Sequence, residues 1–221
     1  MSVSRFERVL PWTGAVAGLC WIGQSFLFHV SSRDLPGHAS SAVIQDHLGL
    51  NYAAVACLVA MGIALLFFAT AVRNLLRSGE AAEATYSSIA YASWIVVVAG
   101  LGQMVVWSWG YVNGAADVHD DASLHVLDFV GYFGFAGMGI GIAGAFLAIG
   151  LGGRRNAVLP RWFALVTLIL GVLSALGDAG IPPGGLVNYL LLPFWLIAAS
   201  VIMVRRQGRR STTAAEVLVR G

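Results

Sequence analysis

The chain has 221 residues, of which 58% are hydrophobic and only 11% charged, with a formal net charge of +2 and a mean hydropathy of +0.78. Soluble domains carry about 25% charged residues, so an ordinary soluble protein is excluded and no nucleic-acid partner is expected; the composition predicts an integral membrane protein whose surroundings are the lipid bilayer. Lysine is absent and all 13 basic residues are arginine, which excludes a retinal Schiff base or any other lysine nucleophile.

A hydrocarbon core needs about 20 apolar residues per crossing. Residues 9–30, 51–72, 90–112, 124–151, 159–176 and 186–204 meet that requirement. The expectation is an all-α, polytopic bundle of six transmembrane helices forming one domain over residues 1–221. Short connections leave no room for a soluble domain.

The first span reads as retained rather than as a signal peptide. It is long for a signal core, and Leu19 rather than a small residue precedes Cys20. Cys20 and Cys57 both fall within spans, where a thiol behaves as a small apolar group. Pro11 with Trp12 and Pro160 with Trp162 open the first and fifth spans, a proline position that costs a helix nothing, beside a residue suited to the interface. Before the second span, residues 41–47 form an amphipathic lead-in that either extends the helix or lies along the surface. Trp107, Trp109 and Tyr111 close the third span as an aromatic belt.

In the fourth span Gly134, Gly137, Gly141 and Gly144 recur at steps of three and four. They leave one face nearly free of side chains, against which another helix packs closely, either of this chain or of a partner in a homo- or hetero-oligomer. In the sixth span Pro193 removes a hydrogen bond, frees the carbonyl of Tyr189 and kinks the helix.

Alternating the loops across the membrane gathers twelve arginines on one side and leaves Arg33 alone on the other. By the positive-inside rule both termini are cytoplasmic, as expected of a multi-pass bacterial plasma-membrane protein. All five histidines and all seven aspartates then face out, while the four glutamates lie inside.

Placed in a bilayer, the spans show a polar layer near their outer ends: Gln24, Ser25 and His29, Asn51, Gln103, His125 and Asp128, Asp178 and Asn188, with Trp107 beside them. Polar side chains facing lipid are costly, so they are expected to point into the bundle and line a pocket open to the outside. Gln24, Asn51, Gln103, Trp107 and Asn188 are the candidate substrate-binding residues. His125, Asp128 and Asp178 are the candidate catalytic ones, because Asp128 lies about two turns further in than Asp120 and Asp121, where the fourth helix begins, and Asp178 sits at the negative pole of a helix, where an acid needs a nearby cation or donor.

Asp117, Asp121, His125 and Asp128 follow at steps of four, four and three, which on a continuous helix places them on one face. Ser25 and His29 share a face of the first helix likewise. His29, Asp121 and His125 are therefore candidate ligands for a divalent zinc, copper or iron ion with an open position. The alternatives are a structural His125–Asp128 pair, with Asp120 or Asp121 capping the helix, and a polar pocket without metal.

Asp117-xxx-Asp121 looks like part of the magnesium–diphosphate motif of membrane prenyltransferases, whose second Asp-rich motif has no counterpart here. Ser25-xxx-His29 resembles one element of the ceramidase-like membrane hydrolases, whose paired histidines on a late helix are also missing. Neither family is assigned.

The functional expectation is a membrane-embedded enzyme or binding protein for an apolar or lipid-like small molecule. Alternatives are a b-type haem protein with His29 and His125 as axial ligands, a non-catalytic subunit of a larger complex, and a small-molecule transporter. The last is disfavoured by inner span halves that offer little polar beyond Thr70, Thr167 and Ser200.

Overall fold

The computed structural model describes residues 5–31, 39–117, 121–132, 136–182 and 184–220, and within them all side chains except those of 5, 115–117, 121, 128–129, 132, 136, 184–188 and 209–220. Among the described residues every element is helical: α1 (Arg5–Val9), α2 (Trp12–Leu27), α3 (Ser41–Asp46), α4 (Leu48–Arg77), α5 (Thr85–Asp117), α6 (Asp121–Tyr132), α7 (Ala136–Arg155), α8 (Arg161–Asp178) and α9 (Gly184–Arg220). The one strand-like feature is an isolated bridge between Ser31 and Ala39.

Five helices are long and apolar enough to cross a membrane, over Leu48–Arg77, Thr85–Gly114, Gly137–Arg155, Arg161–Asp178 and Tyr189–Gly208. One element differs from the sequence expectation. α2 has 16 residues and stops at Leu27, because Phe28 turns to an extended conformation and packs, like Val30, on an apolar cluster outside the helix. Within the stretch expected as one helix over residues 124–151, α6 and α7 stand on either side of residues 133–135, which lie outside the described residues; α6 packs on α5.

α2, α4, α5, α7, α8 and α9 each lie beside their neighbours in the chain, and α9 returns to α2, closing a ring. Missing side chains hold the ring tight. A Cβ on Gly141 would fall 2.7 Å from the backbone of Ser93 and of Val97, and one on Gly100 would fall 2.6 Å from that of Gly137. The glycine face of α7 thus packs against α5 of the same chain at Gly141 and Gly144; Gly134 lies outside the described residues. On the other flank, Gly150 meets the backbone of Ala164 and Leu168, and Gly171 meets that of Leu147, joining α7 to α8.

The kink residue is also used. Gly18 of α2 sits where a Cβ would lie 2.7 Å from the carbonyl oxygen of Pro193. The Tyr189 carbonyl accepts a hydrogen bond from the Trp21 indole N–H at 2.9 Å, so the group freed by proline is paired by a neighbouring helix.

The ring is filled by aromatic rings from five helices. Trp195 lies 6.1 Å from Phe68, 6.1 Å from Trp94, 4.4 Å from Phe146 and 5.8 Å from Phe163 between centroids. Phe68, Trp94, Phe146 and Phe163 lie within about ten residues, or roughly 15 Å of rise, of the helix ends next to the arginine-bearing loops, and Trp195 lies ten residues before Arg205 of α9. Those loops are tied down as well. Glu80 accepts from the backbone N–H and the hydroxyl of Ser87 at 2.9 and 2.6 Å, capping α5, and Arg206 donates to the Ala157 carbonyl at 3.1 Å. Gly79 lies against Asn156 and Val158.

Candidate functional site at the histidine-bearing end

At the opposite end of the ring the chain leaves α2 and passes His29 before the short helix α3. Asn51, on the first turns of α4, is wholly buried and grips His29 by its backbone. Its Oδ1 accepts the His29 N–H at 2.7 Å, and its Nδ2 donates to the His29 carbonyl at 2.9 Å. A side-chain amide has the donor and acceptor of a peptide group, so Asn51 pairs with His29 as a second strand would. The amide is committed to the backbone here, where the sequence suggested a substrate contact.

The His29 ring stacks on that of His47, with centroids 4.9 Å apart and planes 8° from parallel. Nδ1 of His29 lies 2.9 Å from the Leu27 carbonyl, and Nδ1 of His47 lies 3.0 Å from the Val43 carbonyl. A carbonyl only accepts, so both Nδ1 atoms carry hydrogen, and Nε2 of each neutral ring holds the lone pair. Those lone pairs lie in the two ring planes, which run nearly parallel one above the other and so do not meet at one ion. His47 is the hinge between α3 and α4, at φ −111° and ψ 23°. It lies four residues before Asn51 and is the site residue the sequence reading passed over.

An apolar roof covers this end. Ala39, Ile44, Tyr111 and Leu124 are buried together with Phe28, Val30 and Leu127 packed on them, and Phe28 meets the Tyr111 ring edge-on at 5.7 Å. α3 and α6 thereby cover the outer end of α5, where the sequence suggested a pocket open to the outside. Ile44 explains the amphipathic pattern of residues 41–47: it is fully buried, while Gln45 and Asp46 are exposed.

A second polar group lies along the α2–α9 seam. Gln24 is nearly buried and donates through Nε2 to Ser25 Oγ at 3.0 Å. Ser25 Oγ and the Tyr189 hydroxyl are 3.1 Å apart, and the Trp21 and Tyr189 rings meet at 5.3 Å. Tyr189 and Ser25 are exposed at the ring's surface. The sequence pointed to Gln24 but to Tyr189 only through its carbonyl, four residues before Pro193.

The remaining candidates separate. Gln103 points outward from α5 and is exposed, contrary to the expectation that it lines the interior; it sits on the face opposite the buried Trp94, Val97 and Leu101. Trp107 is half-buried on the same helix and His125 half-buried on α6. Asp121 and Asp128 lie on α6 and Asn188 on α9, with side chains outside the described residues. One proposed helical spacing is not realised, because His29 lies past the end of α2; between Asp117 of α5 and Asp121 of α6, residues 118–120 lie outside the described residues. Only Asp121, His125 and Asp128 retain a common helix. Among the described residues no three His, Cys, Asp or Glu side chains come together to hold a metal ion.

Asp178 finds a different environment from the one expected. Its carboxylate lies against Gly139, where any Cβ would overlap it. Gly139 belongs to the first turn of α7, so the acid at the negative end of α8 rests beside the positive end of its neighbour. Its Oδ2 is buried without a hydrogen-bond partner among the described residues.

No protein-family model matches the chain, and neither a curated protein nor a solved structure matches it.

Proposed function

We propose that the chain is a six-span plasma-membrane protein with both termini on the cytoplasmic side, and that its histidine-bearing end binds an apolar or lipid-like small molecule carrying a polar head. The observation that carries this reading is the division of the ring along its axis. Aromatic side chains from five helices fill the arginine-side half, whereas Gln24, Ser25 and Tyr189 gather on the α2–α9 seam of the other half.

A transported solute needs polar groups along the whole route, and the aromatic cluster occupies the level where those would be required. Binding, or chemistry, at one end is favoured over passage. A molecule arriving from the bilayer meets the exposed Ser25 and Tyr189 hydroxyls first and the nearly buried Gln24 amide behind them. α2 counts as the sixth span because it lies along both α4 and α9 and completes the ring. The gathering of arginine into the loops of one end supports the orientation.

The test of binding is mass spectrometry of lipids retained by the gently purified protein. One species enriched over the bulk membrane and depleted at least fivefold in Gln24→Leu and Tyr189→Phe is the expected result; a retained mixture that mirrors the membrane, or one indifferent to both substitutions, refutes the reading. Orientation is checked by a water-soluble maleimide on Gly114→Cys and Ala81→Cys in a Cys20→Ala/Cys57→Ala background. Only Gly114→Cys should label from outside; outside labelling of Ala81→Cys reverses the assignment.

A further inference from the structure

We infer that two copies of this chain pair in the membrane through the outward face of α5, with Gln103 of each copy hydrogen-bonded to Gln103 of the other. Ala92, Val96, Ala99, Gln103 and Val106 follow one another at steps of four, three, four and three, so they occupy one helix face, and all five are exposed. Gly102 beside them has nothing within 4 Å of where a Cβ would stand. The face is smooth, and at its middle stands a single amide.

Gln103 lies inside the apolar segment Thr85–Gly114, eleven residues or about 16 Å of rise before Gly114 and one turn to the inner side of Trp107. No hydrogen bond to it is formed within the described chain, although two other span amides, Gln24 and Asn51, are buried and bonded. An amide left in hydrocarbon loses its water partners without compensation, and polar side chains facing lipid draw helices together.

A second copy is the occupant that fits without further assumptions. Copies in one bilayer share their orientation, so a two-fold axis along the membrane normal sets α5 beside α5 with both Gln103 side chains at the same depth. An amide carries both donor and acceptor and is complementary to itself. Ala99, Gly102 and Ala92 let the two backbones approach. The other exposed lipid-facing residues of α5 and α8, such as Ile95, Val166 and Val172, are apolar and need no such partner. This inference rests on α5 crossing the bilayer and is independent of what the pocket binds.

The experiment measures dimerisation by energy transfer between donor- and acceptor-labelled protein in liposomes, as the lipid-to-protein ratio is varied. Gln103→Leu should weaken the dimer about 3- to 30-fold, the range of interhelical side-chain hydrogen bonds in bilayers, and Gln103→Asn should recover part of the loss. In a background of Cys20→Ala/Cys57→Ala, oxidation should cross-link Gln103→Cys into a dimer and leave Val172→Cys, on α8, monomeric. The inference is overturned by a wild type that stays monomeric at every ratio, by a dimer that Gln103→Leu leaves unchanged, or by rapid reaction of Gln103→Cys with a water-soluble maleimide, which would place position 103 in a wet crevice. The pocket reading survives any of these outcomes, because Gln24 and Tyr189 lie on a different seam.

Discussion

Replacing Asn51 by leucine tests how the histidine-bearing end is held. Asn51 is fully buried, and leucine keeps about the same volume while removing both bonds to the His29 backbone, at 2.7 and 2.9 Å. A neutral intramolecular hydrogen bond contributes about 0.5–1.5 kcal/mol net, so the pair holds His29 by about 1–3 kcal/mol. The third contact, from Nδ2 to the Ile44 carbonyl at 3.4 Å, is too long to add much. Amide hydrogen exchange of the protein in lipid nanodiscs reads this directly: the His29 N–H should exchange about 5- to 150-fold faster in Asn51→Leu, at a factor of ten per roughly 1.4 kcal/mol. Amides of α7 and α8 should not change. Asn51→Asp, which keeps the acceptor for the His29 N–H and loses the donor, should fall between wild type and leucine. If the His29 amide exchanges at the wild-type rate in Asn51→Leu, Asn51 is not what holds the segment and the account of this end is wrong.

Two further substitutions test the packing. Trp94 and Trp195 belong to the same cluster, but the Trp195 indole donates to Thr167 Oγ1 at 2.9 Å, whereas the Trp94 Nε1 is buried without a hydrogen-bond partner. Trp94→Phe should therefore cost about 1–3 kcal/mol less in unfolding free energy than Trp195→Phe; equal losses in a denaturant titration would mean that the Trp94 N–H is satisfied. Gly139→Ala forces the Asp178 carboxylate off the first turn of α7 and should destabilise by about 1–3 kcal/mol. Asp178→Ala should relieve at least half of that in the double variant, and strictly additive losses would show that the two residues do not touch.

Much of the fold was legible because membrane spans are set by length and apolarity, which sequence displays directly. The segments around residues 51–72, 90–112, 159–176 and 186–204 fall inside α4, α5, α8 and α9 or within two residues of their ends. The direction of Gln103 was missed for a physical reason. In water, the apolar face of a helix marks the inside; in a bilayer both faces are apolar, so the period of Trp94, Val97 and Leu101 cannot be told from that of Val96, Ala99 and Val106. His47 escaped notice because its partners, His29 and Asn51, come together only when α3 folds back between α2 and α4.

What the sequence did display was local misfit, and each misfit proved to be an instruction about a distant element. Pro193 frees a carbonyl that α9 cannot pair, and the Trp21 indole of α2 pairs it. Asp178 ends a helix at the wrong pole, and the first turn of α7 lies against it. Asn51 places an amide inside a span, and the unpaired backbone of His29 takes up both its ends. These cases share a cause: a polar group in an apolar solvent has so few ways of being satisfied that its partner can be sought by elimination. Gln103 is a span amide that the described chain leaves unanswered, and the same elimination that finds Trp21 for Tyr189 points, for Gln103, beyond the single chain.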